Sequence, residues 1–141
     1  MGYKEADEAL VQARRHYVAS ANRVEFEPRR TAMQLRYVIK FVAQMDKAVA
    51  FHRDALGLSM KFQSPEWTEF ATGATTLALH PADEAHPAGS CQLGFGTDQL
   101  DALFEEREKR GIAFTMPPTA MHGQRMARFH DLDGAETSIA E

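Results

Sequence analysis

The sequence predicts an α+β domain from about Met33 to Glu141, built of two βαβββ modules facing each other across a cleft and preceded by an N-terminal helical extension. Three observations carry that expectation. A strand, a helix and three short extended stretches follow one another between residues 35 and 80. The same order restarts near residue 91. The fourth strand has one aliphatic and one mixed face.

The run LRYVIKFV, residues 35 to 42, is rich in β-branched and aromatic residues and reads as the first strand. The helix MDKAVAFHRDALG follows, with Met45, Val49, Phe51 or His52, and Leu56 near helical spacing. Asp46 stands in its first turn, where the helix dipole favours an anion, and Gly57 is placed to end it. Extended stretches are expected at about 58 to 63, 66 to 72 and 75 to 80, separated by turn signals at Ser64-Pro65 and Thr72-Gly73. In TTLALH, Leu77 and Leu79 suit a helix-covered face, whereas Thr76, Ala78 and His80 alternate onto the other.

The polar stretch PADEAHPAGS, residues 81 to 90, reads as the connection between modules 33–80 and 90–141. Then CQLGFGT is a strand, DQLDALFEEREKRG a helix closed by Gly111, and IAFTMPP, 124 to 130 and 136 to 140 three more strands. Met45-Asp46 matches Leu100-Asp101 at an offset of about 55, and Gly57-Leu58 matches Gly111-Ile112 at about 54, so the halves repeat.

Residues 1 to 32 read as an extension with a helix over about 4 to 20 and a charged linker. Its stripe of Tyr3, Ala6, Leu10, Ala13 and Tyr17 is thin. Such a stripe is either a leader with no part in the chemistry or an oligomerisation or lid helix.

Composition narrows the function classes. Sixteen Lys+Arg against 20 Asp+Glu leave a net charge of -4, which provides no broad positive field for a nucleic acid. No run of 18 apolar residues suggests a membrane span. Cys91 is the only cysteine, so no intrachain disulfide or cysteine-built zinc site can form, and a cytoplasmic setting is expected. Its strand alternation directs it to the helix side, where it is expected to be buried.

FVAQMDKAVAFHRDALGL resembles the first strand, helix and second strand of the glyoxalase/bleomycin-resistance/dioxygenase, or vicinal oxygen chelate, family. FHDLDGAETSIAE resembles that family's final hairpin. The resemblance implies a cleft that binds a small-molecule ligand or substrate, commonly in a homodimer. In metalloenzyme members, four side chains from the first, fourth, fifth and eighth strands chelate a divalent ion such as Zn, Ni, Fe or Mn, which polarises substrate oxygens.

Those positions fall here on Tyr37, Ala78, Gln92 and Ser138, and only Gln92 is a customary ligand. The expectation is therefore a binding protein with no confidently assigned metal or other cofactor. The alternative is a glyoxalase-type lyase or isomerase. It would use a displaced metal site of His80, Gln92 and Glu136, or metal-free acid–base chemistry by His80 and Glu69.

Trp67 is a candidate pocket wall beside Glu69, and His122, in the glycine-flanked MHGQ segment, a candidate to close over a ligand. His52 and His130 are expected to be structural. Lys40 has no account, because it interrupts the apolar side of the first strand.

Overall fold

The computed structural model describes residues 33 to 141, so the expected N-terminal helix lies outside the described residues. Eight strands form one sheet: β1 (Met33–Val42), β2 (Ser59–Phe62), β3 (Thr68–Thr72), β4 (Thr75–Pro81), β5 (Cys91–Thr97), β6 (Ala113–Met121), β7 (Gln124–His130) and β8 (Glu136–Ala140). Their spatial order is β2-β3-β4-β1-β5-β8-β7-β6. Each module contributes one half. β1 runs parallel to β4, and β5 runs parallel to β8. The halves join where β1 pairs antiparallel with β5.

Helix α1 (Met45–Ala50) continues into a π-helical turn, Phe51–Ala55. Gly57, at φ 71°, makes the left-handed turn after it that a side chain would oppose. The turn holds His52 where its ring is buried against Phe70, with Nδ1 2.7 Å from the Ala48 carbonyl. That histidine is structural, as its sequence position suggested. The second helix is divided at Glu106 into α2 (Leu100–Glu105) and α3 (Arg107–Arg110).

Both helices pack on one face of the sheet. Val49 meets Val42, Phe70 and Leu79 in the first core, with Met45, Leu58 and Leu77 around it. Leu100 and Leu103 meet Ala127 and Ile139 in the second, with Phe95, Phe114 and Phe129. Full burial of such side chains supplies about 1.5–3 kcal/mol each, so these two clusters hold the modules' helices in place.

One expectation is corrected on this face. Cys91 is exposed, although it points to the helix side as its alternation predicted. The reason is that α1 and α2 each cover their own module, and among the described residues no helix covers the β1–β5 seam. Lys40 is paired with Cys91 across that seam and is only partly buried, which explains how a charge is tolerated on the apolar side of β1. Leu93, paired with Val38, is also 43% exposed there.

β6 runs on through Pro117 and Pro118 to Met121, beyond the end expected from sequence. It is an edge strand, and its pairing with β7 shifts between Met116 and Thr119, so neither proline removes a needed ladder bond. Among the described residues no helix is long and apolar enough to cross a membrane.

Candidate functional site

Among the described residues no helix lies on the face opposite α1 and α2, and this helix-free face carries the side chains that alternate away from both cores. Register aligns them in rows. Thr76, Tyr37, Gly94, Ser138 and Arg128 are successive partners across β4, β1, β5, β8 and β7. Glu69, Ala78, Ile39 and Gln92 form the next row across β3, β4, β1 and β5. Thr76, Ala78, Gln92 and Ser138 are all buried. The four positions singled out by the resemblance therefore share one face, in the middle of the sheet.

The larger side chains form an aromatic chain beside that middle. Tyr37 and Trp67 meet edge to face with ring centroids 6.0 Å apart, and Trp67 meets His80 in the same way at 6.2 Å. Phe41 lies 5.4 Å from His80 and stacks on His86 at 4.3 Å. Trp67 lies just before β3 and not within it, and its backbone is held by the Ser64-Pro65 turn. The Trp67 N–H donates to Ser64 Oγ at 2.9 Å, and the Ser64 hydroxyl and N–H donate to the Trp67 carbonyl at 2.9 and 3.0 Å. A local turn thus positions a long-range wall residue.

His80 Nδ1 is 2.7 Å from the Pro81 carbonyl. A carbonyl only accepts, so Nδ1 carries the proton and Nε2 of the neutral ring is left as an acceptor. Burial, then the negative charge of Glu69 and hydrogen bonding to that carboxylate, raise the Tyr37 hydroxyl above the usual phenol range, while nearby Arg36 draws it down. Tyr37 is consequently a neutral hydrogen-bond donor at physiological pH.

The donor set at the four positions is a protonated phenol, a methyl group, an amide and a hydroxyl, which does not fit a divalent cation that needs anionic or imidazole ligands. The displaced candidates His80, Gln92 and Glu136 lie on β4, β5 and β8, and Glu136 stands 3.6 Å from Arg128. Among the described residues, no three His, Cys, Asp or Glu side chains are grouped to hold an ion.

His122 is placed apart from these residues. It forms the two-residue turn of the β6–β7 hairpin with Gly123, at φ 51° and 76°, the geometry of a tight turn. It borders an open depression of about 480 Å³ that also touches Arg125 and Glu141, outside the rows centred on Tyr37. His130 is exposed at the end of β7.

Three residues of the helix-free face were not found by sequence reasoning. Arg36 and Lys61 are each the unpaired residue of a β-bulge. His86 lies in the connection between modules and is fixed by Asp83, whose Oδ1 accepts the His86 N–H at 2.7 Å and stands 3.1 Å from Nδ1. The backbone hydrogen bond from His86 is the first cause lowering the Asp83 pKa.

Several solved structures share this architecture. The methylmalonyl-CoA epimerase of Mycobacterium tuberculosis superposes with a TM-score of 0.65 at 20% identity, covering 85% of this chain and 94% of that one. A Streptomyces coelicolor methylmalonyl-CoA epimerase in complex with 2-nitronate-propionyl-CoA gives 0.61 at 19% identity, with 76% and 92% covered. The structure described as an NAD-dependent benzaldehyde dehydrogenase from Legionella pneumophila gives 0.60 at 21%, with 74% and 96% covered. At these identities the likeness is one of fold. No curated protein sequence matches the chain. Residues 34–139 match the model of the Glyoxalase/Bleomycin resistance protein/Dioxygenase superfamily, and with the double βαβββ sheet in view the chain belongs to that superfamily.

Proposed function

We propose that this protein binds a small organic molecule on the helix-free face, between the Tyr37–Trp67–His80 wall and the small residues Ala78, Gly94 and Ser138, without a metal ion. The observation that carries the reading is the aromatic wall of Tyr37 and Trp67, edge to face at 6.0 Å, beside the small residues at the centre of the face. A neutral phenol beside a carboxylate offers one donor and one acceptor to a ligand's polar end, with an indole available to its apolar part. Gln92 and Ser138 add further polar contacts.

The test uses Trp67, the only tryptophan, as a reporter. Its emission and the melting temperature are followed against a library of small acids, aldehydes, thioesters and aromatic compounds, alongside metal analysis of protein purified without chelators. Binding that persists in metal-free protein supports the proposal. One equivalent of tightly held metal, or no ligand that moves Trp67, overturns it.

A second reading is an isomerase or lyase, favoured by the open Nε2 of His80 and by the presence of epimerases among the similar folds. In it Glu69 or His80 takes a proton from a carbon next to a carbonyl, and the Tyr37 hydroxyl donates to the developing enolate oxygen. Deuterium uptake from solvent at that carbon, in 2-substituted acyl thioesters, would reveal it. A parallel assay gives methylglyoxal and glutathione with and without Ni²⁺ or Zn²⁺. Activity that survives both Glu69→Gln and His80→Ala would rule out these roles. A cytoplasmic homodimer completes the proposal, and light scattering on the full chain tests its assembly.

A further inference from the structure

The bulge in β1 changes what the open face can recognise. Leu35 pairs with Phe95 and Tyr37 with Gly94, so Arg36 has no partner and the strict alternation of side chains is interrupted there. Arg36 consequently turns to the same face as Tyr37. Its side chain lies over Gly96, where a Cβ would stand 2.0 Å from Nε and 2.4 Å from Cδ and Cζ. A glycine at this position leaves a track along β5 that the guanidinium stem occupies.

A second bulge repeats the device from the other side. Met60 pairs with Phe70 and Phe62 with Glu69, leaving Lys61 unpaired. Its Nζ donates to Thr76 Oγ1 at 3.0 Å, and Thr76 is the register partner of Tyr37. Two cations therefore approach Tyr37 along different strands. Both residues are exposed, and among the described residues neither pairs with a carboxylate, whereas Arg53, Arg110 and Arg125 do. With no carboxylate among the described residues pairing with them, Arg36 and Lys61 present their charge on this face.

Resting on the small-molecule reading above, we infer that the ligand carries an oxyanion, a carboxylate or a phosphate, received by the guanidinium of Arg36 with Lys61 alongside Tyr37. A planar guanidinium donates two parallel hydrogen bonds to such a group, and the Lys61 ammonium, which gives one N–H to Thr76, has further N–H groups to add. Glu69 then bears on the part of the ligand directed away from the anion.

The experiment is a titration of the full ¹⁵N-labelled chain with succinate, inorganic phosphate and the neutral analogue succinamide, read on the Arg36 Nε–H, the amides of Tyr37 and 94–96, and Trp67 emission. Saturable shifts with succinate or phosphate, absent with succinamide, are expected, and the two anions distinguish a carboxylate from a phosphate ligand. Arg36→Gln should weaken that binding at least tenfold and Lys61→Gln several-fold, with the amide spectrum otherwise preserved. Equal binding of succinamide, or anion binding unchanged in Arg36→Gln, overturns the inference and leaves the small-molecule reading intact. If neither these probes nor the compound library perturbs Trp67, both are overturned together.

Discussion

Arg36 lies across Gly96, and a single methyl group at residue 96 would occupy the place of its Nε. The atoms in the way belong to the outer part of a flexible side chain, so the backbone need not move. Gly96→Ala is therefore expected to leave stability unchanged or raise it by up to about 1 kcal/mol through reduced unfolded-chain entropy. Anion binding should nevertheless fall as far as in Arg36→Gln. Thermal melting and the succinate titration check the two halves. Gly94→Ala is the contrast, because its Cβ would stand 3.1 Å from Tyr37 Cβ and 3.2 Å from Ser138 Oγ. Tyr37 Cβ is fixed to the backbone, and a loss of about 1–3 kcal/mol is expected.

Tyr37 should ionise above the ordinary phenol range. Its folded pKa is raised above the unfolded value of about 10, so the native state holds the proton more tightly. The associated stability is complete below pH ~10 and declines as pH rises through the folded pKa. Ultraviolet titration of phenolate absorbance should show a late step that Tyr37→Phe removes. Glu69→Gln should move it to lower pH and Arg36→Gln to higher pH, since the carboxylate raises this pKa and the guanidinium lowers it.

Leu79 is fully buried between α1 and the sheet, in contact with Val49 and Phe70 in the first core. Leu79→Ala should cost about 2–5 kcal/mol in denaturant unfolding. Ala78, its neighbour in sequence, is equally buried but on the opposite face. Ala78→Leu should chiefly disturb ligand binding and the Tyr37–Trp67 contact, seen as a change in Trp67 emission, and cost about 1–3 kcal/mol from overpacking.

Cys91 should react with a thiol reagent in the native protein at a rate close to that in denaturant, because it is exposed and, among the described residues, no helix covers its side of the β1–β5 seam. Protection by a factor of ten or more would mean that the seam is covered in solution.

Most of the fold is legible in sequence because its determinants are local or periodic. Alternation in TTLALH assigns Leu77 and Leu79 to the core and Ala78 and His80 to the other face, and the structure agrees. The repeat of strand, helix and three strands specifies two modules, and glycines such as Gly57 mark where helices end. The SPEW turn holds Trp67 by hydrogen bonds between neighbours in the chain.

Tertiary structure alone decided which residues meet. Tyr37 lies on β1, His80 on β4 and Trp67 just before β3, and the Trp67 contacts with both follow from the order β3-β4-β1, which no local pattern encodes. Cys91 shows that alternation assigns a side chain to a face but not whether a helix covers that face. Arg36 and Lys61 show the sharper limit. A period of two identifies faces only while every residue is paired, and one unpaired residue turns a side chain to the other side. The sequence by itself determined a superfamily fold with Tyr37, Ala78, Gln92 and Ser138 at its centre. Two bulges, created by pairing between distant strands, decided that this centre is flanked by positive charge.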